Sequence, residues 1–243
     1  MNLQKLIFSL FFIFLSLEIS AQACFFDVET INVEQGLPNR RTYSAAQDTD
    51  GFIWISMPGK VSRYDGYNFK NYTSDFLEIN ESLPCYLAVD DANLLWYCEH
   101  LSLSVSNKTG IINTEKNIKY DIETFSNGLI KNQSVRQIIQ STFSKGAVLI
   151  ETNERRIYKY QRGKFTLLFE GIRNTDKTTP IGIEEIDENT LWFAIGEEFF
   201  EVRNKKITKR INLGIDIFDI SKVRGELIVY TIDGKEYILS NRN

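Results

Sequence analysis

The chain has 243 residues, of which 43% are hydrophobic, and its 28 basic and 32 acidic side chains give a net charge of −4. This balance argues against a nucleic-acid partner, which would need a strongly basic face. One histidine and three cysteines are few ligands for a metal or cofactor site. We therefore expect the protein to bind no metal, no cofactor and no nucleic acid. The length predicts a single domain once a leader has been removed.

The chain begins with the pattern of an export signal. A single lysine, Lys5, precedes a twelve-residue apolar run at 6–17, which is too short to span a bilayer, and Ala21 and Ala23 offer a small-residue cleavage site. We predict a signal peptide at 1–23 and a periplasmic or otherwise exported chain at 24–243. A retained membrane anchor is a less favoured alternative. Lipoprotein anchoring at Cys24 is also less favoured, because the residues directly before Cys24 match the motif of a lipid-acylated cysteine poorly.

A turn-and-tryptophan motif then recurs along the chain. Asp48 opens a polar turn and Trp54 follows six residues later; Asp90 and Trp96 repeat this spacing, and a third, shorter copy ends at Trp192. The first two tryptophans are 42 residues apart and the last two are 96 apart, which is two periods. The spacing predicts a degenerate copy midway, and residues 140–150 hold an apolar strand without its tryptophan.

The second half of each copy predicts a β-hairpin. Tyr64, Asp65 and Gly66 lie in alternating sequence, and Asp-Gly within such a pattern is a strong hairpin signal. Gly66, like Gly51 in the preceding turn, supplies the positive φ that a tight turn needs. The segment from Tyr160 repeats the layout. Each period of 40–50 residues thus holds about four short strands, which is one propeller blade.

The predicted fold is therefore all-β. We expect a β-propeller of four-stranded antiparallel blades, about four to five of them, in an incomplete ring. Residues 135–143 also show helical spacing, but their position in the repeat favours a strand. The repeats are expected near 31–72, 73–120, 121–170, 171–212 and 213–243.

The first copy resembles the two-component regulator propeller repeat. The matching residues are Leu37-Pro38-Asn39, Gln47-Asp48, Gly51, Ile53-Trp54-Ile55, Gly59 and Arg63-Tyr64-Asp65-Gly66. The pattern departs from the family at Ser56-Met57, where Gly-Thr is usual. The resemblance implies the periplasmic sensor of a hybrid two-component receptor, many of which respond to oligosaccharides. Such sensors continue into further blades, a membrane helix and an output domain, so we expect a truncated fragment whose partners are the remaining propeller or receptor domains.

The sequence shows little catalytic chemistry. His100 could act as a general base only beside a nucleophile, and the sequence contains no Gly-x-Ser-x-Gly motif to supply a serine. Residues 48–51 resemble the start of a calcium-binding loop, but two further ligand positions of such a loop hold Phe52 and Gly59. We expect a ligand-sensing module that is not an enzyme. The open alternative is a secreted propeller-scaffold enzyme acting on glycans, which fold alone does not exclude. Glu184 and Glu185 are expected at the surface.

Ligand contacts in propellers come mainly from loops at one face of the ring. Arg40 and Arg41 follow such a loop and are the candidate ligand-binding residues, because the donor fork of arginine suits a uronate or sulfate. The alternative is a solvated loop pair. The recurring tryptophans are expected in the core between blades rather than in a sugar-stacking platform.

Two cysteines are candidates for a disulfide. If residues 90–93 form a four-residue turn, Val89 faces Leu94, and Cys85 then lies opposite Cys98. Export would place both thiols in an oxidising compartment, where such a pair would form a disulfide. The alternative is two buried free thiols.

Overall fold

The computed structural model describes residues 30–99, 108–172, 180–223 and 226–239. The predicted signal peptide at 1–23, the candidate lipidation site Cys24 and the single histidine His100 lie outside these ranges. No helix within the described ranges is long and apolar enough to cross a membrane.

The described residues form five antiparallel sheets in chain order. The first sheet contains β1 (Ser44–Gln47), β2 (Ile53–Met57), β3 (Lys60–Tyr64) and β4 (Phe69–Thr73). The second contains β5 (Cys85–Val89), β6 (Leu95–Glu99), β7 (Thr109–Asn113) and β8 (Ile118–Asp121). The third contains β9 (Val135–Gln140), β10 (Val148–Thr152), β11 (Ile157–Gln161) and β12 (Lys164–Phe169).

The fourth sheet contains β13 (Pro180–Asp187), β14 (Thr190–Ile195), β15 (Glu198–Arg203) and β16 (Lys206–Asn212). The fifth contains β17 (Ile217–Val223), β18 (Glu226–Thr231) and β19 (Glu236–Leu239). Two one-turn helices, α1 (Ser74–Leu77) and α2 (Ile122–Phe125), follow β4 and β8, and a 3₁₀ turn spans Val33–Gln35.

This architecture confirms the predicted β-propeller. Each sheet is a simple meander, and first strands lie side by side among the first three sheets and between the last two; the backbone N–H of Leu87 on β5, for example, donates to Ser44 Oγ on β1 at 3.2 Å. The described sheets do not close into a ring, as predicted. The strand at Val135–Gln140 also confirms the strand interpretation over the helical one.

The three tryptophans lie in equivalent buried positions. Trp54, Trp96 and Trp192 are 2%, 0% and 3% exposed, and each belongs to the apolar cluster between its own sheet and the next. This confirms the core interpretation over a sugar platform. The corresponding position of the degenerate third sheet holds Leu149, which packs in the cluster between the third and fourth sheets.

The aspartate of the motif has a specific structural role. The indole N–H of Trp54 donates to Asp48 Oδ2 at 2.8 Å, and that of Trp96 donates to Asp90 Oδ2 at 2.9 Å. The other oxygen of each carboxylate accepts amides of the turn. The aspartate and the tryptophan six residues later thus link the turn to the buried interior by a hydrogen bond within the same sheet. In the fourth sheet the turn is shorter, and the Trp192 indole donates instead to Glu201 Oε2 at 3.2 Å.

The structure contradicts the predicted disulfide. The turn after Asp90 contains three residues rather than four, because Asn93 adopts a left-handed conformation (φ 57°) and the Asp90 N–H bonds to Leu94 O. The register therefore shifts by one residue, so Tyr86 lies opposite Cys98. Cys85 packs between the first and second sheets, Cys98 packs between the second and third, and both are buried free thiols.

Candidate functional site

The propeller has two distinct faces. At the loop face lie the connections between sheets and the links from each second strand to its third. At the turn face lie the turns between the first and second strands and between the third and fourth. The turn-face positions of the predicted repeat are structural: Asp65, ahead of Gly66, accepts the backbone N–H groups of Tyr67 and Asn68, and these bonds lower the pKa of its carboxyl. The Tyr64 and Phe69 rings stack at 4.7 Å across this hairpin.

The predicted ligand residues lie at the loop face of the first sheet. Arg40 and Arg41 are both exposed in the loop ahead of β1. The loop is shaped by Asn39, whose Oδ1 accepts the backbone N–H of Arg41, and the Arg41 guanidinium lies 5.1 Å from the centre of the Tyr43 ring. Both guanidinium groups are therefore accessible to a ligand.

A second polar group at the loop face was not predicted from the sequence. Glu151, near the end of β10, pairs with Arg155 at 3.0 Å, and their side chains are only 3% and 4% exposed. The turn after β10 holds this geometry, with Arg155 itself at φ 61°. Gln137 on β9 lies directly opposite Glu151 and shares its face of the sheet.

Two side-chain oxygens of this group accept no hydrogen bond from any residue within the described ranges. Glu151 Oε2 and Gln137 Oε1 are buried acceptors without a hydrogen-bond partner. Burial raises the pKa of Glu151, although the nearby Arg155 opposes the shift. Burial also lowers the pKa of Arg136, and the charge of Arg155 adds to this. Both oxygens are closed to solvent, so this group is a buried polar feature of the fold beneath the loop face.

A cavity of about 250 Å³ lies between the third and fourth sheets, toward the turn face. Its apolar walls include Leu168 on β12, Leu191 on β14 and Val202 on β15, and Glu185 on β13 and the polar residues at 187–190 and 204–205 also line it. Nothing in the sequence patterns pointed to this cavity, because its lining comes from two sheets.

The prediction of a surface position for Glu185 was wrong. This residue is 1% exposed, and its carboxylate accepts hydrogen bonds from Ser141 Oγ and Lys159 Nζ, both at 2.6 Å. Its neighbour Glu184 is half-buried and accepts from Thr142 Oγ1 at 2.8 Å; burial raises the pKa of Glu184. The sequence did not reveal these contacts, because the partners belong to the third sheet.

Solved structures of other proteins share this fold. The chain is similar to the extracellular domain of BT4673 from B. thetaiotaomicron, described as a hybrid two-component system (19% identity, TM-score 0.56), over 85% of this chain and 29% of that one. It is also similar to PorZ, a surface component of the type-IX secretion system of Porphyromonas gingivalis (14% identity, TM-score 0.58), over 88% and 34%.

A third similar structure is YCF48 from Cyanidioschyzon merolae (12% identity, TM-score 0.57), which is matched over 83% of this chain and 68% of that one. No protein-family model and no curated protein matches the chain. The chain spans less than a third of the length of the BT4673 domain. At these identities the likenesses show the β-propeller fold.

Proposed function

We propose that this chain is the extracytoplasmic ligand-sensing propeller of a two-component receptor, and that it binds an oligosaccharide at its loop face without cleaving it. Three features support the proposal: the export pattern at 1–23, the resemblance of residues 31–72 to the two-component regulator propeller repeat, and the shared fold of the BT4673 extracellular domain. The membrane and output domains would belong to further receptor sequence.

The observation that carries the proposal is the exposed pair of arginines at the loop face of the first sheet, Arg40 and Arg41. The exposed guanidinium groups of Arg40 and Arg41 favour an acidic sugar, because a uronate or sulfate presents paired oxygens to the arginine fork.

The test is ligand binding by the exported full-length chain. Thermal unfolding is followed in the presence of neutral, uronate-containing and sulfated oligosaccharides, since a ligand that binds only the folded state raises the melting temperature. We expect an acidic oligosaccharide to give the largest rise, and the double substitution Arg40→Ala, Arg41→Ala to reduce it.

The matched control is Lys206→Ala, which removes an exposed cation from the fourth sheet and should leave the rise unchanged. No rise with any oligosaccharide would contradict the proposal. Release of new reducing ends during the incubation would instead support a glycan-cleaving enzyme.

A further inference from the structure

The interface between the second and third sheets is filled by aromatic side chains. Trp96 lies 4.8 Å from Tyr160 and 5.5 Å from Phe125, measured between ring centroids, and Tyr120 lies 5.6 Å from Phe125. The indole N–H of Trp96 donates to Asp90. The tryptophan is common to the first interface, which has Lys70 and Ile112 at the positions of Tyr120 and Tyr160, so this interface is the more aromatic of the two.

The strand registers identify the corresponding positions one interface further on. Trp96 faces Ile111, which faces Tyr120; in the third sheet Leu149 faces Lys159, which faces Thr166. Leu149 and Trp96 also each lie two residues after the residue that closes the first turn. Leu149 therefore takes the place of Trp96, and Thr166 takes the place of Tyr120.

The third aromatic position is replaced as well. Tyr160 directly precedes the residue pair that closes the β11–β12 turn, Gln161 and Lys164. Val202 directly precedes the pair that closes the β15–β16 turn, Arg203 and Lys206, so it holds the position of Tyr160. Three large rings are thus replaced by leucine, threonine and valine. Thr166 and Val202 both line the 250 Å³ cavity, and Leu149 packs in the same cluster as Val202.

The polar partner of the missing indole is replaced too. Ser141 occupies the position of Asp90, because each follows the first strand and its N–H closes the first turn. Ser141 cannot supply a carboxylate to an indole, but its hydroxyl donates to Glu185 Oε2, and Glu185 is one of the residues that line the cavity. A carboxylate has about four lone-pair sites, so the two donors from Ser141 and Lys159 leave room for a third.

We propose that this cavity binds a small aromatic ring system that carries an N–H donor, with indole as the simplest member of the class. The ring fills the volume between Leu168, Leu191 and Val202, and its N–H donates to the buried carboxylate of Glu185. A volume of about 150 Å³ is enough to hold benzene, so the larger volume of this cavity accommodates a bicyclic ring whose edge meets the polar residues at 187–190. This site does not depend on an oligosaccharide at the loop face.

The test compares indole with benzofuran, which has the same shape but no N–H donor. Binding to the exported full-length chain is measured by calorimetry. We expect indole to bind about tenfold more tightly, as a hydrogen bond to a charged acceptor implies. Equal affinities, or no binding of indole, would overturn the proposal.

Cavity-filling variants then locate the site. Thr166→Tyr and Val202→Tyr restore the residues of the second interface at two positions that line the cavity, and each should abolish indole binding while the far-UV circular dichroism stays that of the wild type. Phe218→Tyr, at a side chain that is 71% exposed, introduces the same residue type elsewhere and should leave binding intact. Undiminished binding by a folded filled variant would refute the site.

A third substitution serves if both filled variants fail to fold. Glu185→Gln leaves the cavity open but removes the charge, so the preference for indole over benzofuran should fall to about threefold or less. An unchanged preference in this variant would also overturn the proposal.

Discussion

Replacing Trp96 by alanine tests whether the turn-and-tryptophan motif holds the propeller together. Trp96 is fully buried and contacts Phe125, Tyr160 and Phe165. Truncating such a side chain costs about 3–5 kcal/mol through lost burial and the cavity left behind. The substitution also removes the donor from Asp90 Oδ2, which is buried, and this adds about 1–3 kcal/mol. The sum is a large share of the 5–15 kcal/mol typical of a folded domain.

The assay is urea unfolding followed by far-UV circular dichroism, with the midpoint and slope compared between variants. Tyr67→Ala is the control, because Tyr67 is 88% exposed and its loss should change stability by less than about 0.5 kcal/mol. Trp96→Phe should lie between the two, since it keeps a ring but loses the N–H donor. A Trp96→Ala midpoint equal to that of Tyr67→Ala would refute the packing argument.

Two further predictions follow from the register and from the unclosed sheets. Cys85 and Cys98 should be alkylated only after denaturation, since burial raises the pKa of Cys85 well above its usual range and that of Cys98 to about 12; a non-reducing mass spectrum showing a bond between them would contradict the register. The last sheet exposes Phe218 and Ile238, so we expect the isolated chain to self-associate, and Ile238→Lys to reduce this. Light scattering from a monomer at every concentration would count against it.

The periodic features of the fold were predictable from the sequence. The spacing between Trp54 and Trp96 and the Asp-Gly hairpin at 65–66 each encode a local requirement, either a large buried side chain between two sheets or a positive φ at a turn. The degenerate third copy was also predictable from the period. Local patterns of this kind repeat because every blade must satisfy the same packing condition.

The register was missed for a local reason. A three-residue turn with a left-handed Asn93 differs from a four-residue turn by one position, and the sequence around it fits both. That single residue moves Cys85 and Cys98 to opposite faces of the sheet. A prediction that depends on which side chains face each other therefore needs the turn conformation first.

The candidate sites were missed for a different reason. Glu185 meets Ser141 and Lys159 of another sheet, and Val202 corresponds to Tyr160 only once both registers are known. Glu151 follows three apolar residues in β10, and its pairing with Arg155 depends on the turn between them. Contacts between sheets arise from the three-dimensional arrangement of blades, which a one-dimensional repeat does not specify.

The pH dependence of stability tests the electrostatics of the loop face. Burial raises the pKa of Glu151, so the folded chain retains this proton to higher pH than the unfolded chain does. The stabilisation linked to that proton is present at low pH and is lost as pH rises from the ordinary glutamate range through the folded pKa. Glu151→Gln has no such titration. Its unfolding free energy relative to the wild type should therefore increase between about pH 4 and about pH 8.

This outcome separates two accounts of the buried pair between Glu151 and Arg155. If desolvation exceeds the attraction between the charges, the neutral glutamine is tolerated best at high pH. If the attraction dominates, the folded pKa is depressed, and the variant becomes progressively less stable than the wild type as pH rises. Urea unfolding of both proteins across this range measures the sign of the slope. A falling relative stability of Glu151→Gln with rising pH would show that Arg155 outweighs burial, contrary to the geometry of a pair only 3–4% exposed.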